Sequence, residues 1–136
     1  MKKLKKIYFL ITVFFTVFSV VFSAPSYRVD SLDITAKIQE DGSVVVEEIV
    51  LYNASEINGV LYNIDAKGYG KLNSLEVFYE KNGEFIPAVN QNGTSSGSYT
   101  VTTSDELYKI KLYSPMRDEK RYFGFRYILP RGVTVY

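Results

Sequence analysis

Three groups of residues have types that chemistry uses. Gly93-Thr94-Ser95-Ser96-Gly97 has the letters of a nucleophile elbow, in which a strained strand-to-helix turn offers a serine to a neighbouring base. Glu47-Glu48 and Asp118-Glu119 are adjacent carboxylates, the raw material of sugar hydrolysis, where one acid is kept protonated by an apolar pocket and the other is ionised. Asp30, Asp33, Glu40 and Asp41 supply the oxygen donors that calcium prefers, without EF-hand spacing.

The rest of the sequence withholds what those groups need. There is no histidine and no cysteine, which excludes imidazole or thiolate zinc sites, Ser-His-Asp and Cys-His nucleophilic centres, and thiol redox chemistry. The serines in 93–97 have no histidine base and no helix pattern after them, so the segment reads as a flexible polar loop. Neighbours on a strand point to opposite faces, so neither acidic pair forms a dyad. Glu48 shares parity with Val44, Val46 and Val50 and is expected to point inward, where it needs a partner such as an arginine. The clustered aspartates read as solvated charges. No catalytic residue, metal or cofactor is expected, and the chain is expected not to be an enzyme.

Aromatic residues offer a softer chemistry. Twelve tyrosines and no tryptophan supply broad apolar surfaces with a polar edge, suited either to a contact surface or to a core and its rim. Tyr108 and Tyr127 are expected in the core. Tyr69 and Tyr99 flank glycine-rich loops and are the candidate ligand or partner contacts. Asn53-Ala54-Ser55 and Asn92-Gly93-Thr94 fit a glycosylation sequon but read as turn residues.

The elements that must position these residues repeat with period two. Leu32, Ile34, Ala36 and Ile38 alternate with Asp33, Thr35, Lys37 and Gln39, the pattern of a half-buried strand. Glu40-Asp41-Gly42-Ser43 then turns the chain into a second strand carrying Val44, Val46 and Val50. A short strand is expected over 60–64, and a hairpin around Asn82-Gly83 joins 72–80 to 85–89. After the polar loop 91–98, strands are expected at 99–103, 107–113 and 121–129, the last two deep in the core through Tyr108, Ile110, Leu112, Phe123, Phe125, Tyr127 and Leu129. Seven or eight short strands without helical spacing predict an all-β, antiparallel two-sheet sandwich of the immunoglobulin-like kind. With no cysteine for disulfides, packing alone must hold it.

Lys2, Lys3, Lys5 and Lys6 precede an apolar run over 7–22 that ends in Ser23 and Ala24. This is the layout of an export signal, with the lysines held on the cytoplasmic side. Residues 1–23 are therefore read as a hydrophobic signal helix, cleaved near Ala24, or alternatively kept as an anchor; residues 24–136 form the exported domain. The whole chain has 16 basic and 15 acidic residues, and four lysines leave with the signal, so the domain carries 12 against 15, a net of −3. No concentrated basic face is visible, and nucleic acid is not an expected partner.

Taken in order, Asp33-Ile34-Thr35 through Glu40-Asp41-Gly42-Ser43-Val44-Val45-Val46-Glu47-Glu48, then Asn58-Gly59-Val60, then Arg121-Tyr122-Phe123-Gly124-Phe125-Arg126-Tyr127, the chain resembles the N-terminal extracytoplasmic domain of a bacterial predicted membrane protein family, domain of unknown function 2207. The resemblance covers nearly all of the exported region. It implies a signal peptide, a β-sandwich and later membrane helices with a cytoplasmic tail, so the chain is expected to be the front part of a longer membrane protein. Tyr62-Asn63-Ile64 departs from the family pattern after Gly59. The function expected is contact or sensing at the extracytoplasmic face of the membrane, with an envelope protein as the candidate partner. The alternative is a secreted carbohydrate-binding or carboxylate-dependent hydrolytic module.

Overall fold

A computed structural model of the chain describes residues 26–133. The expected signal segment, 1–23, lies outside the described residues. Seven strands are formed: β1 (Tyr27–Ile38), β2 (Val44–Asp65), β3 (Asn73–Lys81), β4 (Glu84–Pro87), β5 (Val89–Asn90), β6 (Ser98–Ser104) and β7 (Leu107–Leu129). They belong to one all-β sheet, antiparallel throughout except where β5 lies parallel to β6. No helix among the described residues is long and apolar enough to cross a membrane.

The frame is the long ladder between β2 and β7, which runs from Val44 opposite Leu129 to Asp65 opposite Leu107. Short strands were expected here. Instead the segment 60–64 continues from the valine strand as one 22-residue element, and 107–113 joins 121–129 as one of 23 residues. The turn expected at Asn53-Ala54-Ser55 does not form, because Ala54 keeps the inward parity of Val50 and Tyr52 and is buried with them.

The ladder bends at its middle. Ile57 faces Met116 and Gly59 faces Tyr113, so Asn58 is opposed by two residues, Ser114 and Pro115. Such a bulge leaves one residue out of the ladder, and it is the place within a sheet where proline's missing N–H does no harm. Gly59 is required for another reason: a Cβ there would collide with the carbonyl oxygen of Leu112. Arg121 ties the bend, donating from Nη1 to Ser114 Oγ at 2.6 Å and to the Pro115 carbonyl at 3.0 Å, and from Nη2 to Glu119 at 2.8 Å.

Past the bend the two halves of the ladder lie against each other. The ring of Tyr62, from the second half of β2, stacks on Phe125, from the second half of β7, with centroids 4.0 Å apart. Val46, Val50, Phe123, Phe125 and Tyr127 thus share one core with Val60, Ile64, Tyr99, Ile110 and Leu112. The depth expected of Ile110, Leu112, Phe123, Phe125 and Tyr127 is observed, whereas Tyr108 and Leu129, expected with them, are only partly buried against the core. One half of the ladder is flanked by β1 beside β2 and by β3 and β4 beside β7. The other half is flanked only on its β7 side, by β6.

Both expected hairpins form. Gln39 N donates to the Ser43 carbonyl at 2.8 Å to close the first, with Gly42 at φ 83°. Asn82 and Gly83 take φ 54° and 80° between β3 and β4, the left-handed pair that a tight two-residue turn demands.

Candidate interaction surface

β1 is the outermost strand beside β2, and opposed residues of an antiparallel pair share a face. Leu32, Ile34, Ala36 and Ile38 stand opposite Val50, Glu48, Val46 and Val44, which all point inward. The apolar side of β1 therefore faces the interior side of the sheet, as its alternation implies. It is not covered there. Leu32, Ile34 and Ile38 are 49%, 57% and 64% exposed, which corrects the expectation of a half-buried strand. The cause is topological: β6 flanks only the β7 side of the second half, so among the described residues no strand stands opposite β1.

Both ends of this strand are pinned. Asp30 is the extra residue of a bulge between Val29 and Ser31. Its carboxylate meets Lys120 Nζ at 2.8 Å and Arg28 Nε at 2.7 Å. These two hydrogen-bonded cations, Lys120 foremost, hold the Asp30 carboxyl below its ordinary pKa. At the other end Asp41 Oδ1 accepts from Ser43 Oγ at 2.6 Å and Ser43 N at 2.9 Å, which lowers the Asp41 pKa in the same way. Asp30 and Asp41, two of the acids whose oxygens would suit calcium but which read as solvated charges, thus lie at opposite ends of a 12-residue strand and do not converge on one ion. Beside the bulge, Ser26, Tyr27, Arg28, Asn53, Ser55 and Asp118 line an open depression of about 500 Å³.

Glu48 points inward as expected, but its partner is not an arginine. Tyr62 donates its hydroxyl to Glu48 Oε2 at 2.8 Å. The parity that links Tyr62 to Val60 and Ile64 carried the signal for this contact. Burial, and after it the Glu48 carboxylate, raises the Tyr62 and Tyr127 pKa values well above the ordinary phenol range. The Tyr62 phenol, held protonated against this acid, makes a hydrogen-bonded bridge between the two halves of the ladder. Glu47 is on the opposite face, beside a groove of about 170 Å³ lined by Ile49, Phe78, Phe85 and Gly124.

The two candidate tyrosines separate. Tyr69 is 45% exposed in the turn after Ala66, where its N–H donates to the Ala66 carbonyl at 2.9 Å and its carbonyl accepts from Arg131 N at 3.0 Å. Tyr99 is 7% exposed: it is the second residue of β6, opposite Leu112, and its ring belongs to the core. Its expected place on the surface is corrected, because the strand starts one residue before it and sets its parity inward. The Gly93–Gly97 segment is a loop, exposed over 93–96 and buried at Gly97, that leads directly into β6 with no helix after it. The sequence reading missed the uncovered face of β1 and the Arg121 tie.

The profile of the family described as predicted membrane protein (DUF2207) N-terminal domain matches residues 28–136. The chain belongs to this family. A DUF2207 domain is a domain of predicted membrane proteins, consistent with association with a membrane. A search of curated proteins found no match. Among solved structures, the DUF2207 chain is similar to the group B streptococcus pilus 2b backbone protein, at 13% identity and a TM-score of 0.47. That likeness covers 72% of this chain and 43% of the pilus protein chain.

Proposed function

We propose that this chain is a non-enzymatic, extracytoplasmic contact domain of a membrane protein, an immunoglobulin-like sandwich of two layers exported behind the signal in 1–23. The observation that carries this reading is the apolar side of β1, exposed at Leu32, Ile34 and Ile38 next to a sheet edge that is free among the described residues. Apolar surface left in water at a strand edge invites a partner strand or surface. The lysine-flanked apolar run and the membership in a family of predicted membrane proteins support the location. The domain is the front of a longer membrane protein, and its partner is a component of the envelope. Tyr69 forms part of a second, smaller contact point at the opposite loops.

The test is photo-cross-linking from position 34 in intact cells, combined with protease added from outside. The reading predicts a covalent protein adduct and digestion of the domain without lysis. Recovery of the full chain from the cytosol, residues 1–23 attached and free of adduct, would sink it.

A further inference from the structure

We propose that β1 pairs antiparallel with β1 of a second copy of this chain, about a two-fold axis through Thr35. The inference rests on the contact role proposed above and names the partner. β1 is bonded to β2 along one side only, so its other side presents a row of backbone N–H and C=O groups, unpaired among the described residues. The strand has no proline. Between the Asp30 bulge and the turn that begins at Gln39, residues 31–38 keep a regular register.

The sequence of that stretch selects its own complement. Opposed residues share a face, so only registers that set even-numbered residues against even-numbered ones join the two stripes of Leu32, Ile34, Ala36 and Ile38. Five centres satisfy this within the stretch's middle. A centre at Asp33 opposes two aspartates, and one at Lys37 opposes two lysines. A centre at Ile34 sets Asp33 against Thr35, and one at Ala36 sets it against Gln39, so no charge is matched. A centre at Thr35 sets Asp33 against Lys37 twice, Leu32 against Ile38 twice and Ile34 against Ala36 twice.

Other occupants fit less of this. A lipid surface would cover the apolar stripe but leave the edge amides without partners. An unrelated peptide strand would satisfy the edge, yet nothing would make its charges mirror those of β1. A second copy supplies both, in the isologous two-fold arrangement that most homodimers adopt.

The chain contains no cysteine, so one introduced thiol reports on one position. The full chain carrying Thr35→Cys, oxidised in native membranes, is expected to run as a covalent dimer on a non-reducing gel. Adding Lys37→Glu sets two pairs of like charges in opposition and should lower dimer yield at limiting oxidation about tenfold. Adding Asp33→Lys as well restores the opposite charges and should restore the yield. Both positions are exposed on the solvent face, so folding is not at stake. Absence of the dimer, or a dimer indifferent to the charge changes, overturns the pairing. A thiol adduct to a different protein, or shielding of the thiol by lipid alone, also overturns it; the former leaves the contact role standing and the latter removes it.

Discussion

At the scale of single residues, the molecule depends on polar groups whose protonation is fixed by position. Tyr62 and Tyr127 have raised pKa values, so as pH climbs the unfolded chain loses these phenol protons first, near pH 10. Their stabilisation is complete below that pH and is lost above it. Tyr62→Phe should flatten the alkaline fall in the urea midpoint and, by removing one hydrogen bond to a carboxylate, cost about 1.5–3 kcal/mol at neutral pH. Asp30 has the opposite sign. Its folded-state pKa is lowered, so its contribution is present above about pH 4 and disappears as acid protonates it. Asp30→Asn should therefore reduce the loss of stability between neutral pH and pH 3 in the same measurement. Gly59→Ala drives a methyl group into the Leu112 carbonyl, and the overpacking should cost about 1–3 kcal/mol in denaturant titration.

At the scale of elements, β1 and the long ladder behave differently. Ile34→Lys removes exposed apolar area without opening a cavity, so the thermal midpoint should stay within the range of an ordinary surface change, about 0.5 kcal/mol either way. Binding of an environment-sensitive dye such as ANS should fall. Unchanged dye binding would place the apolar surface elsewhere. Much of this layer of structure was legible. Asn82-Gly83 forms the expected turn because both residues accept positive φ, and the alternation through Phe123, Phe125 and Tyr127 marks the core. Two features were not legible, for identifiable reasons. Asn53-Ala54-Ser55 and Asn58-Gly59 have turn composition, yet the first lies within an unbroken strand and the second serves the bulge. The alternation of Leu32, Ile34, Ala36 and Ile38 tells which side of β1 is apolar, but not whether another layer stands over it. That depends on how distant strands are arranged, and no local window contains it.

At the scale of the whole molecule, the candidate site follows from unequal halves. Among the described residues, one half of the bent sheet carries β1 beyond β2 and the other half has no counterpart, so the interior runs out one strand before the sheet does. This is why the site is an edge and a stripe rather than an enclosed cavity, and why Tyr99, chosen for its flanking glycines, proved to be core. Sequence composition narrows the chemistry where residue types are simply absent, since no arrangement of strands can supply an imidazole or a thiol. It could not locate the surface. A chain with Leu32→Thr, Ile34→Thr and Ile38→Thr together should keep the fold, shown by unaltered near-ultraviolet circular dichroism, while losing cross-linked adducts from the envelope.

The ladder joining Val44 to Leu129 has a further effect on biogenesis. Its two strands are the second and the seventh among the described residues, so the central scaffold cannot zip until β7 has been delivered after the five other strands. Pairings so distant in sequence fold slowly, on the order of milliseconds to seconds. A polypeptide emerging N-terminus first from a ribosome or a translocation pore must wait, with its valine-rich strand unpaired on its β7 side, for residues 107–129 to arrive.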